Sequence, residues 1–418
     1  MSEIHVLVIG GGIGGLCLAH GLRRSGVRVT VFERTRARTD WLQGYRIHIN
    51  PHGSRALHDC LPPEAWQRFL DTVSVSGGGF GFVTEQLRDL LRYTASEILP
   101  ETGPAEGHYG ASRLGLREAL LTGLGDDVLR LGAEFERYTL GPDGRVTAHF
   151  TDGGTATGDL LVGADGANSR VRRQLLPHAE RIDTGVLAIA GKHRLPDPAL
   201  PRVLTEDTNL VLPGRRGSLF TSVWHPDRAA VTTAGAPQSF LLDRSTAYAI
   251  WGFSDATATF PPGVETLAGG DLRRLVLDRT TGWAPGLRDL IGGSDPDTIN
   301  AIRVRSATPV GPWETGPVTL LGDAVHNMTP MAGIGANTAL RDADLLRRAL
   351  LADDLLPAVH SYEEQMRGYG FAAVAKSLRN ARMGASGNRP ARLAFRTALR
   401  TVNAIAPLKR KFATGLGT

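Results

Sequence analysis

Val6 to Leu22 reads VLVIGGGIGGLCLAHGL, and no other stretch restricts the fold as strongly. Ile4 to Ile9 is apolar and largely β-branched, which predicts a short buried strand. Five glycines occupy the next six positions, Gly10 to Gly15. Leu16, Leu18, Ala19 and Leu22 then recur at helical spacing. Val27 to Phe32 predicts a second strand, ending at Glu33. A strand, a glycine turn, a helix and a strand within about thirty residues form a βαβ unit. Gly10, Gly12 and Gly15 match G-x-G-x-x-G, with Ile13 and Gly14 between them. In such a loop Gly10 allows the tight turn, Gly12 lets a pyrophosphate approach the backbone, and Gly15 lets helix and strand pack closely. The helix start offers unpaired N–H groups to phosphates. Glu33 is placed to accept ribose hydroxyls, with Arg34 beside it. A dinucleotide site follows, and the loop alone leaves the dinucleotide open.

The remaining composition sets limits. A chain of 418 residues exceeds one ordinary core and predicts two lobes. Two cysteines, Cys17 and Cys60, give neither a disulfide framework nor metal-ligand spacing, so no metal and a reducing, cytoplasmic setting are expected. No stretch is apolar for long enough to span a bilayer. After Glu364 there is no acidic residue, yet eleven Lys or Arg follow, whereas residues 1–364 hold 36 basic and 42 acidic groups. Only four aromatics, Tyr369, Phe371, Phe395 and Phe412, lie among the tail charges, fewer than a nucleic-acid groove requires, so nucleic acid is not an expected partner. A helix face lying over the first lobe is the expected reading of the tail; contact with a membrane surface is the sharper alternative.

Two later motifs narrow the dinucleotide. Asp159 to Leu175 predicts a strand ending before Asp165-Gly166 and then a helix, preceded by a hairpin over 144–158. Val318 to Leu350 predicts a strand ending at Gly322-Asp323, a loop with Pro330, Gly333 and Gly335, and a long helix. Together with the glycine loop these motifs resemble the FAD-dependent class A aromatic monooxygenases, the p-hydroxybenzoate hydroxylase fold. The resemblance implies that Gly10, Gly12, Gly15 and Glu33 hold the FAD pyrophosphate and ribose. It implies that Asp165-Gly166 serves FAD and NAD(P)H, and that Asp323 holds the ribityl chain. Arg113, in SRLGLREALL, is carried over as an FAD contact. The helix start at Gly335, Ala336 and Asn337 would stabilise reduced flavin, with Pro330 beside the oxygen-reacting face. Val325 departs from the family's usual alanine before the histidine.

The resemblance also implies a fold and a reaction. The expected fold is α/β: a Rossmann-like FAD lobe, an inserted, mostly antiparallel substrate sheet, and C-terminal helices. Expected boundaries are 1–72, 103–180 and 285–380 for the FAD lobe, 73–102 and 181–284 for the substrate lobe, and 381–418 for the basic helices. NADPH or NADH would reduce the flavin and O2 would add at C4a. Oxygen would then pass from the hydroperoxide to an electron-rich apolar small molecule, by hydroxylation or epoxidation, in a bacterial secondary pathway. A reductase of the geranylgeranyl-reductase type and a non-catalytic FAD-holding protein are the alternatives. Arg46, His48 and Lys192 are the candidate catalytic side chains, with Lys192 expected to face the substrate. Alternation groups Phe220, Ser222 and Trp224 on one face, and Ala247, Ala249, Trp251 and Phe253 on one face; an aromatic pocket wall and a sheet packed on its own helices both remain open for them. A monomer and a homodimer are equally compatible.

Overall fold

The computed structural model describes residues 4–35, 46–75, 78–98, 103–226 and 246–414. Its organising element is a five-stranded parallel sheet. The strand order is Val318–Leu320, Leu160–Gly163, His5–Ile9, Arg28–Glu33 and Leu129–Leu131. Val6 to Ile9 are buried, as in a parallel strand covered on both faces. The helix Ile13–Arg24 covers one face, and the helix Gly335–Ala352 packs on it. That contact is close at Gly14, where a Cβ would fall 2.7 Å from Leu321 Cδ1 and 3.2 Å from the Ala339 carbonyl oxygen.

All five strands run the same way, so four motif loops emerge at one end. Gly10 follows Ile9, Glu33 closes the second strand, Ala164-Asp165 follows Gly163, and Gly322-Asp323 follows the third motif strand. Open α/β sheets bind ligands in the crevice outside these carboxyl ends. A small antiparallel sheet of Arg46–Ile49, Tyr109–Ser112 and Val73–Val75 stands at the same end. The predicted hairpin over 144–158 comprises Val146–Phe150 and Thr155–Gly158, with Phe135–Leu140 as a third strand.

The second lobe is a seven-stranded sheet. Its order is Asn300–Ala307, Arg181–Arg194, Tyr248–Ala256, Ser218–Trp224, Thr208–Val211, Phe80–Val83 and Asp89–Tyr93. Every pairing is antiparallel except that of Thr208–Val211 with Phe80–Val83. Ala249, Trp251 and Phe253 point away from the first lobe, into a core with Leu287, Leu290 and Ile291. Trp251 Nε1 donates to Ser294 Oγ at 2.7 Å in that core. The Trp251 row is therefore mainly core. The Phe220 row lies on the opposite face.

Three expected boundaries move. The helix Pro285–Gly292 supplies the second core, and the strand Asn300–Ala307 pairs with Arg181–Arg194, so 285–307 belongs to the second lobe. Val73–Val75 pairs with Tyr109–Ser112, in the small sheet that carries Arg46. Residue 381 falls inside one helix, Leu355–Ala385, whose Ala381 and Ala385 pack on Val186 and Val304. The basic helices Arg389–Ala404 and Ala406–Thr414 do not lie over the first lobe. Leu399 buries itself among Phe82, Leu90, Leu91 and Tyr93 of the second sheet. The Arg392 guanidinium fixes this helix by donating to the carbonyls of Pro213, Gly217, Gly384 and Ser386. No helix among the described residues is long and apolar enough to cross a membrane.

Candidate active site

The glycine loop adopts a conformation that side chains forbid at two points. Gly10 has φ +113°, and a Cβ there would fall 2.4 Å from the Ala164 carbonyl oxygen. A Cβ on Gly15 would fall 2.2 Å from the Gly10 oxygen. Gly12 differs. Its backbone is extended, and an added Cβ would meet only the Ala164 oxygen at 4.0 Å, so this position opens onto a cavity. Gly12 also caps the helix Ile13–Arg24 without a side-chain hydrogen bond, leaving the first amides turned toward that cavity. Gly11, which the loop pattern did not single out, donates its N–H to Glu33 Oε2 at 2.7 Å. Thr35 N–H reaches Oε1 at 2.9 Å. The carboxylate is thus aimed by backbone and keeps lone pairs for hydroxyl donors.

The other motifs converge on the same space. One cavity of about 1990 Å³ is lined by Gly10 to Gly14, Glu33, Arg34, Asp165, Gly166, Gly322 and Asp323, and also by Pro330, Gly333, Gly335 and Ala336. This is about twice the volume of an ordinary single-ligand pocket. Asp165 Oδ2 accepts from Arg170 N–H at 2.7 Å, while its Oδ1 is buried without a partner. Burial raises the pKa of this carboxyl, and hydrogen bonds from Ser169 and Arg170 offset part of the rise. Arg113 begins the helix Arg113–Leu121, and Arg117 follows one turn later; both line the cavity with a buried Nε that has no partner. Arg117 was legible only through its i, i+4 spacing from Arg113. Burial lowers the Arg113 pKa, and Asp323 pulls it back up.

The helix Gly335–Ala352 aims its first turn at the cavity, also without a side-chain cap. Its first intrahelical bond runs from Thr338 N–H to Ile334 O at 2.9 Å, so the amides of Gly335, Ala336 and Asn337 precede the ladder. The Asn337 side chain is committed elsewhere. It donates to the His48 carbonyl at 2.8 Å and accepts from Asn50 N–H at 2.8 Å, tying this helix to the strand Arg46–Ile49. Gly322, with φ +61°, is held by Asp342, whose Oδ2 accepts its N–H at 2.7 Å. The same oxygen meets His326 Nε2 at 2.6 Å in a fully buried pair. His326 is thus a support of the Gly322-Asp323 turn.

The candidate catalytic side chains separate. Arg46 and His48 line the cavity. Arg46 donates to Ser222 Oγ across the lobes, Ser222 and Thr208 hydroxyls are 2.7 Å apart, and Arg46 Nε has no partner. His48 Nε2 lies 3.2 Å from His108 Nδ1, with the rings stacked at 5.3 Å. Burial, then Arg46 and His108, drive the His48 pKa down to about 3, so its imidazole is neutral near pH 7. Lys192 is fully buried, with Nζ 4.3 Å from the Tyr248 ring centroid, and is absent from the cavity wall. The expectation that it faces the substrate is thereby corrected. Among the described residues no cluster of His, Cys, Asp and Glu is arranged to hold a metal ion.

The fold and this site define a flavoprotein, and the comparisons agree. Residues 8–73 match a family described as an NAD(P)-binding Rossmann-like domain, and residues 291–353 match an FAD binding domain. The FAD-dependent urate hydroxylase of Klebsiella oxytoca is 31% identical over 368 residues, covering 86% of this chain and 85% of that protein. The aurachin C monooxygenase/isomerase of Stigmatella aurantiaca is 30% identical over 372 residues, covering 88% and 85%. A crystal structure of a Photorhabdus luminescens protein assigned as an FAD containing monooxygenase superimposes with a TM-score of 0.81 at 38% identity, over 91% of this chain and 98% of that one. Other relatives are longer. The chain spans 45% of the dual O-methyltransferase/FAD-dependent monooxygenase elcB of Phaeosphaeria nodorum, at 30% identity over 89% of its own length. The chain belongs to the FAD-dependent monooxygenases of the p-hydroxybenzoate hydroxylase fold, and FAD is its cofactor.

Proposed function

We propose that this chain takes electrons from NAD(P)H and places one atom of O2 into an electron-rich, largely apolar ring compound. One observation carries the reading: a single cavity joins the glycine loop to an apolar face of the second sheet. The partnerless polar atoms at Asp165, Arg113 and Arg117 fit a large polar cofactor in the first half of that cavity. The amides of Gly12 and Ile13, at the uncapped helix start, would seat the pyrophosphate, and Glu33, aimed by the Gly11 amide, the ribose. Arg113, Asp165 and Asp323 would hold the groups between ribose and ring. Bound there, flavin supplies the redox and dioxygen chemistry. The chain's part is to set charge, orientation and dryness. The uncapped amides at Gly335 and Ala336 favour negative charge on the ring edge they face. Pro330, without an N–H, adds no backbone donor beside the reacting face. Arg46 offers its unused Nε–H to a substrate oxygen, and neutral His48 can give or take a hydrogen bond beside it.

The test is isotopic. Purified protein loaded with FAD is expected to oxidise NADPH or NADH faster when an aromatic substrate is added, and to carry one 18O from 18O2 into the product. Product formed without labelled oxygen, or turnover that proceeds anaerobically, overturns the reading. A second expectation concerns the sheet face. A Cβ on Gly252 would meet nothing closer than Ala190 Cβ at 4.0 Å, so Gly252→Val projects into the cavity without disturbing the strand. It should retain FAD and thermal stability, since Val suits a strand. It should raise substrate KM at least about tenfold by filling the space a ring would occupy.

A further inference from the structure

The second half of the cavity has a direction. Strand register aligns Ala190 with Gly252, Gly252 with Phe220, Phe220 with Leu210, and Leu210 with Phe82. These five residues form one row across five neighbouring strands, and all line the cavity. Four strand spacings of about 4.8 Å make the row roughly 19 Å long. Side chains along it change from small to large. At the small end, Ala188 and Met331, the latter next to Pro330, both pack on the cluster of Val186, Val304, Ala381 and Ala385. At the large end the Phe82 ring lies 6.2 Å from that of Phe412, and Phe395 also lines the wall. The basic C-terminal helices, docked through Leu399 and Arg392, close this end. Phe220 stands in the middle of a seven-stranded sheet and is still 38% exposed, because the cavity covers it. A large apolar side chain left open inside the protein marks a surface that an apolar ligand dries.

We infer that the substrate is elongated, with its reacting ring at the Ala190–Gly252 end and an apolar extension that runs over Phe220 and Leu210 to a wall set by Phe395 and Phe412. This deepens the monooxygenase reading and rests on it for the position of the reacting end. The second sheet and the C-terminal helices together then select substrate length.

The probe is a series of 4-alkylphenols, from ethyl to dodecyl, titrated into the FAD-loaded protein. Binding is followed by the change in flavin absorbance. Kd is expected to fall up to about fourfold per methylene while the chain is being buried, then to stop improving at a limiting length. Phe395→Ala and Phe412→Ala should move that limit to longer chains, and Phe395→Trp should move it to shorter ones. The Trp variant keeps the test decisive where an alanine loosens the helix. A Kd independent of chain length, failure of every phenol to bind, or a limit that none of the three variants moves overturns the inference. The two readings fail separately. Labelled product from ethylphenol with no length dependence sinks only the elongated site. Length-dependent binding without oxygenated product sinks only the monooxygenase.

Discussion

Gly12→Asp yields a folded, colourless protein. The substitution separates the shape of the glycine loop from its use, which changes at Gly10 or Gly15 cannot do. At those two positions an added Cβ collides with backbone oxygen at 2.4 and 2.2 Å, so loop and ligand site would be lost together. At Gly12 the backbone is extended, there is room for a side chain, and the residue is the N-cap of the helix Ile13–Arg24. Aspartate is among the best N-cap residues and differs from glycine there by only a few tenths of a kcal/mol. The FAD-free variant should therefore melt at or slightly above the wild-type temperature. The new carboxylate would occupy the anion seat and take up the amides meant for pyrophosphate. Like charges brought together cost several kcal/mol, so FAD affinity should fall at least about a thousandfold. Equilibrium dialysis against FAD, with thermal melts of both FAD-free proteins, measures the two effects. A yellow variant with wild-type affinity would remove the glycine loop from the cofactor site.

What the sequence disclosed depended on range. The glycine loop, the Asp165-Gly166 turn and the Gly322-Asp323 turn are local patterns, each a strand followed by a special backbone, and each stands in the structure with that local form. The parallel order of the strands then puts all of them at one sheet end without further information. Alternation grouped the residues of each sheet row correctly but could not say which face meets the core. Both faces of the second sheet are apolar, one toward helices and one toward the cavity, so Trp251 and Phe220 look alike in sequence. Lys192 shows the same limit. Its burial beside Tyr248 depends on a neighbouring strand. The strand Asn300–Ala307 was missed because it is an edge strand carrying Arg303 and Arg305, and its pattern is more polar than that of the other strands. Basic helices were expected over 381–418, yet the partner of the helix Arg389–Ala404 follows from the carbonyls that Arg392 happens to reach. Gly11, His108 and Asp342 had no role in sequence because each acts on a residue brought near it by the fold, and Arg117 stood out only by its spacing from Arg113.

Asp342→Ala should destabilise the protein more than any change in the cavity wall. The Asp342 carboxylate is fully buried and takes three hydrogen bonds: Gly322 N–H, His326 Nε2–H and, at 2.5 Å, the Tyr369 hydroxyl. Removing it leaves a buried imidazole, a buried amide and a partly buried hydroxyl without their acceptor. Breaking a buried pair on one side costs about 3–5 kcal/mol, against a total stability of about 5–15 kcal/mol. Gly322 loses its anchor as well, so the Asp323 turn loosens and FAD binding weakens with it. The pair also carries a pH signature. Burial pushes the His326 pKa down, but the Asp342 charge and hydrogen bond, with Asp323 adding to them, raise it above its ordinary 6.5. A group whose pKa is raised by folding stabilises the folded state fully below its unfolded value and loses that contribution as pH climbs through the folded one. Wild-type stability in urea should therefore decline on the alkaline side of pH 6.5 relative to His326→Gln, which has no proton to lose there. Parallel pH profiles for the two proteins would mean that the imidazole is not charged in the native state. The Asp342→Ala loss would then reflect missing hydrogen bonds alone.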